Sequence, residues 1–264
     1  MKWNPLFAVC ALTLAGCGQP PAPAATTGLD IPPPPTAPAG PKPTPEAWRA
    51  AFDSSFHVIG PNQDQGNGIT KFDACFDAVA PAKIRDCHLN VTGEKDAFRK
   101  LWIFQSPLSG IFDIAPDSPY LTQYVSVMEN HSPVMFFSAN FIGESWLFMT
   151  DVAIMVNGDI VLEHHFDHSD IKTHVGTGYV QERSDFVLTS QQIAGLRKIH
   201  SDSKIIIRFT GQNGFVSVDH GSKAKKSQVH MFNTDSFASD VEETLGAYDA
   251  ISTKTRDKGV SDHP

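Results

Sequence analysis

The crowding of proline between residues 18 and 45 constrains this chain more than any other feature. Eleven of its 19 prolines fall there, four of them consecutive at 32–35, interleaved with Ala, Thr and Gly. Proline fixes φ and lacks an N–H, so such a stretch supports neither a helix nor a sheet ladder and favours extended polyproline II. Fully extended at about 3.1 Å per residue, it would reach on the order of 85 Å, the behaviour of a spacer. Only the remainder, roughly 215 residues from about Trp48, can bury a core, which is enough for one large domain or two closely packed ones split near residue 119.

Ahead of the spacer lie Lys2 and an apolar run over residues 6–15. The run is about half the roughly 20 residues needed to span a bilayer and matches the h-region of a secretory signal. It ends in Leu14-Ala15-Gly16-Cys17, which resembles the lipobox of bacterial lipoproteins. The resemblance implies cleavage before Cys17, removal of residues 1–16 as a signal peptide, and lipidation of the Cys17 thiol. Residues 17–45 then form a lipidated linker carrying acyl chains such as palmitate, at least two of which are needed for a stable anchor. Gly18 stands where an Asp would imply retention in the inner membrane, so the resemblance implies an outer-membrane lipoprotein facing the periplasm. It covers the N-terminus only.

Charge and cysteine usage bound the rest. The region beyond residue 46 keeps the whole chain's formal charge of −8, because Lys2 and Lys42 cancel Asp30 and Glu46. An acidic domain without a basic stripe argues against nucleic acid, whose phosphates require clustered Lys and Arg. Of four cysteines, Cys10 lies in the signal and Cys17 is the expected anchor. Cys75 and Cys87 remain; their spacing is not C-x-x-C, and in an oxidising periplasm they are expected to form a disulfide.

Along residues 46–264 the pattern predicts an α+β domain. Glu46, Trp48 and Phe52 suit a short opening helix, residues 60–68 read as loop, and 94–104 carry a helical spacing at Ala97, Phe98, Leu101 and Trp102. The centre predicts an antiparallel meander of four to five strands over 121–128, 134–141, 145–156, 160–165 and 178–187. Asn157-Gly158 marks a hairpin, since both residues tolerate positive φ. Thr189 and Gln192 form a capping-box pattern for a helix over 190–200. A β-hairpin over 205–218 and a C-terminal helix over 236–251 complete the fold. Strands followed by helices favour α+β over a wound parallel sheet.

Candidate chemistry is sparse. Glu163-His164-His165-Phe166-Asp167-His168 supplies potential zinc ligands in His164, His165, Asp167 and His168. On a strand His165 and Asp167 would share one face, whereas on a helix His164 and His168 would. There is no H-E-x-x-H order and no second ligand cluster. Gly143-Glu144-Ser145-Trp146-Leu147 lacks the second glycine of a nucleophile elbow. The S-x-x-K matches at Ser201 and Ser222 lack the companion elements of penicillin-recognising enzymes. Lys223, Lys225 and Lys226 form a small basic loop suited to contact an acidic partner. The expectation is therefore a membrane-anchored envelope lipoprotein that binds a periplasmic protein or a cell-wall component, without a cofactor, as an assembly factor, inhibitor or immunity-type protein. A periplasmic hydrolase or zinc-binding protein using residues 163–174 is the competing expectation.

Overall fold

A computed structural model describes residues 44–107, 118–220, 234–256 and 258. It has an α+β architecture of twelve antiparallel strands in two sheets with three α-helices. The first helix, α1 (Pro45–Asp53), starts where the prolines stop: Pro45 occupies its first turn and the Thr44 side chain caps it by accepting from the Ala47 N–H. Trp48 and Phe52, one turn apart, stack with ring centroids 5.0 Å apart and are fully buried.

Six strands then form a continuous meander: β1 (His57–Gly66), β2 (Ile69–Cys75), β3 (Asn90–Asp96), β4 (Leu101–Gln105), β5 (Ser118–Met128) and β6 (Val134–Gly143). The chain leaves this sheet for β7 (Met149–Val156) and β8 (Asp159–His165), and returns with β9 (Lys172–Gly176) and β10 (Tyr179–Val187). The eight-stranded sheet runs β1-β2-β3-β4-β5-β6-β10-β9. After α2 (Ser190–Leu196), β11 (Ile205–Gly211) and β12 (Gly214–His220) complete the second sheet in the order β12-β11-β7-β8. Helix α3 (Thr234–Thr255) closes the domain.

The expected meander thus belongs to two sheets, and four strands precede it. The predicted helix over 94–104 is the β3–β4 hairpin. Its turn is held by the Asp96 side chain, which accepts from the Phe98 and Arg99 N–H groups, with Lys100 at φ 53. The apolar stripe misled because Phe98 is 83% exposed, while Trp102 and Phe104 alternate into the core as strand residues. The predicted loop over 60–68 falls largely in β1. That edge strand tolerates Pro61 through register shifts between Ile59 and Gln63 and between Asp64 and Gly66. The Asn157-Gly158 hairpin forms as expected, with φ of 53 and 101. Thr189 and Gln192 form the capping box.

Two hydrophobic clusters share α3. One gathers Trp48, Phe52, Phe72, Trp102, Phe104 and Val125 with Ala247 and Ile251. The other joins β6, β7, β10, β11 and α2 to Phe237, Val241 and Leu245. Tyr248 packs against both. Cys75 and Cys87 form a disulfide, with a Cα–Cα distance of 5.9 Å.

The crossing from β6 to β7 depends on one buried carboxylate. Glu182, 1% exposed on β10, accepts from the Leu147, Phe148 and Met149 N–H groups at 2.7, 2.9 and 2.6 Å. On the other side Gly211 lies so close that a Cβ there would sit 2.2 Å from the Leu147 carbonyl oxygen. Replacing Glu182→Gln keeps the shape but removes the charge and one acceptor, and is expected to destabilise the domain by about 3 kcal/mol in urea unfolding. Reducing the disulfide, which joins residues 12 apart, is expected to cost a further ~3 kcal/mol in the same assay.

Candidate functional site

The histidine-rich segment does not gather a ligand set. Residues 164 and 165 lie on β8, where successive side chains point to opposite faces. His164 stacks on Phe186, centroids 4.0 Å apart, and meets Phe166 edge-on. Exposed His165 instead places Nδ1 2.7 Å from Asp151 Oδ1. Asp167 precedes the short 3-10 turn His168–Asp170 without capping it through its side chain. Among the described residues, the one group of three metal-competent donors is Cys75, Asp77 and Cys87. Its two sulfurs are joined to each other, and Asp77 accepts from the His88 and Leu89 N–H groups. Cys17, Lys223, Lys225 and Lys226 lie outside the described residues.

A different constellation emerges where α1 meets the first four strands. A cavity of about 510 Å³ is lined by Arg49, Asp53, His57, Phe72, Lys95 and Trp102, among others. Its aromatic lining is Phe56, Phe72 and Trp102, and the buried Trp48–Phe52 stack backs it, with the Phe52 and Trp102 ring centroids 4.9 Å apart. Two cations flank the Trp102 ring: the Arg49 guanidinium carbon is 4.8 Å from its centroid and Lys95 Nζ is 5.7 Å away. Such contacts hold a cation in place while its outward donors stay available. Asp53 engages only Arg49 Nε, at 2.7 Å, and Lys95 makes no ion pair among the described residues.

Basic side chains gather beside this cavity, Arg49 paired with Asp53 and Lys100 with Glu129. The Lys100 hydrogen bond, 2.8 Å long, holds the Glu129 carboxyl below its ordinary value, and the charges of Lys100, Arg49 and Lys95 add to the effect. Burial of the carboxyl opposes the shift. Arg49, paired with Asp53, and Lys95 therefore line a concavity of small-ligand size beside Trp102, while Lys100 pairs with Glu129 outside that lining. That arrangement suits a carboxylate or phosphate carried on a ring or apolar frame. Sequence reading missed it because Arg49 and Lys95 sit on a helix and a strand 46 positions apart; the visible signal was the aromatic spacing of Trp48, Phe52 and Trp102.

A second opening, about 500 Å³, lies at the β5–β6 turn and is lined by Met128, Pro133, Phe136, Val187, Ile193 and Tyr248, among others. It is predominantly apolar and lacks convergent charge. Among the described residues, no helix is long and apolar enough to cross a membrane. No family model matches the chain, and no curated protein or solved structure matches it significantly.

The placement of His164 has a consequence for pH. Burial against Phe166 and Phe186 lowers its pKa below 6.5; facing charges on Asp170 and Asp151 oppose this, while His165 reinforces it. A depressed pKa means this contribution is complete above the unfolded value and is lost as pH falls through the folded one. The fall in Tm from pH 7.5 towards pH 5 is expected to be smaller in His164→Phe, which keeps the stacking without the charge. Thermal melts across that range check it.

Proposed function

We propose that this chain is a lipid-anchored bacterial envelope protein whose α+β domain binds an anionic cell-wall component. The single observation that carries the binding reading is the open pocket in which Arg49 and Lys95 lie against Trp102 on an acidic domain. A pocket of about 510 Å³ fits one ring-sized, acid-bearing unit better than a flat protein face, which favours a wall component over a protein partner. The Cys75–Cys87 disulfide supports an oxidising compartment. The anchor at Cys17, the signal peptide over 1–16, the linker over 17–45 and the outer-membrane location facing the periplasm rest on the lipobox resemblance. In this reading the linker gives the domain its reach from the membrane to the wall.

The reading is tested with the chain from residue 17 carrying Cys17→Ser and made without residues 1–16, which is expected to stay out of the membrane fraction. Cosedimentation with purified cell wall, and titration with soluble acid-bearing wall fragments, should both show binding that weakens with salt. Arg49→Gln with Lys95→Gln should reduce affinity about a hundredfold, on the order of 1.5 kcal/mol for each charged contact. His164→Ala should leave binding unchanged. Retention that is insensitive to salt and to the Arg49/Lys95 pair would overturn the reading.

A further inference from the structure

A second polar cluster lies beneath α3 and plays no part in the pocket around Trp102. Asp240 and Glu243 are three residues apart on α3, a spacing that places them on neighbouring rows of one side. Ser106, the fully buried residue just beyond β4, donates its hydroxyl to Asp240 and is also hydrogen-bonded with Glu243. No Lys or Arg forms an ion pair with either carboxylate among the described residues. The other charges facing Glu243 are Glu242 on its own helix and His88 on the segment leading into β3.

An independent observation comes from the sheet. Gln105 pairs with Tyr124 in the β4–β5 register, so Gln123 lies across from Ser106 on the side covered by α3. Gln123 is 1% exposed, yet among the described residues neither its amide oxygen nor its amide nitrogen has a hydrogen-bond partner. Among the described residues, the hydroxyl of Thr244, fully buried one turn after Asp240, and Glu243 Oε2 also have no hydrogen-bond partner. Unpaired buried polar atoms are costly, and several on facing elements point to a missing occupant. A water could satisfy the amide and hydroxyl but brings no charge to two adjacent carboxylates.

We propose that Asp240, Glu243, Ser106 Oγ and Gln123 Oε1 form a calcium site, with Thr244 Oγ1 as a further oxygen at its floor. The donors are all oxygen, two charged and the rest neutral, which is hard-cation chemistry rather than that of zinc or copper. Their irregular origin, from a strand end, a neighbouring strand and a helix, suits the adaptable coordination of calcium better than the strict octahedron of magnesium. The bound ion would clip the N-terminal half of α3 to the sheet, joining elements separated by 134 residues.

The test uses the chain from residue 17 carrying Cys17→Ser, stripped with chelator and then titrated with CaCl₂ at pH 7.5, followed by calorimetry and thermal melts. Saturable binding of one calcium per chain, with a rise in Tm of several degrees, is expected. Glu243→Gln and Gln123→Leu should each weaken it at least tenfold, and Glu94→Gln on the exposed sheet face should not. Absence of saturable calcium binding by the unmodified cluster would overturn the proposal without needing any variant. So would calcium binding that survives Glu243→Gln and Gln123→Leu, or magnesium bound more tightly than calcium. Cell-wall binding through Arg49 and Lys95 is read out separately, so either result leaves that reading to its own experiment.

Discussion

One carboxylate fixes the crossing between the two sheets, whose shared core joins β6 and β10 to β7 and β11. Glu182 turns what would be a strained loop into a fixed joint, because its two oxygens take three consecutive N–H groups of residues 147–149. A buried carboxylate is stable only where donors replace its water, and backbone N–H groups do so without bringing a side chain that must itself be ordered. Phe148 can then hold a positive φ of 51, and its carbonyl and that of Leu147 turn outward to accept from Gln212 and Asn213. The β11–β12 turn is thereby tied to the crossing, and the second sheet gains its orientation over the first. Leu147 and Met149, buried on either side of Phe148, anchor the same joint in the core.

Helix α3 does for the two clusters what Glu182 does for the two sheets. Its first turns put Phe237, Val241 and Leu245 into one core, and its last turns put Ala247 and Ile251 into the other. Close approach is permitted at Gly246, where a Cβ would lie 2.9 Å from Leu89. Arg197 and Asp249 pair in a two-pronged bridge at 2.5 and 2.6 Å, fastening the end of α2 to α3. Both candidate sites adjoin this frame: the cationic pocket lies under α1, which packs on α3, and the oxygen cluster lies under α3 itself. Binding at either would act on elements already clamped, which favours recognition by a preformed surface over folding upon binding.

Much of the architecture was legible beforehand. Asn157-Gly158, the Thr189–Gln192 pair and the β-branched run at 205–207 each carry a local physical signal, and each element formed where that signal stood. The first four strands were less legible for equally local reasons. Residues 94–104 place apolar side chains at a spacing that serves a helix or a hairpin, and only the burial of Trp102 and Phe104 beside α1 selects the hairpin. The histidine-rich segment showed ligand types in abundance, yet the pleat of β8 sends His164 into an aromatic stack and His165 towards Asp151.

By itself the sequence determined the α+β class and the Cys75–Cys87 pairing, because each follows from short-range pattern or elimination. Tertiary structure alone decided the division into two sheets, the joint at Glu182, and the convergence of Arg49 with Lys95 and of Ser106 with Asp240. Those contacts join residues between 33 and 134 positions apart. The physical reason is that side-chain periodicity reports which face a residue presents, whereas the partner on that face is set by the packing of whole elements.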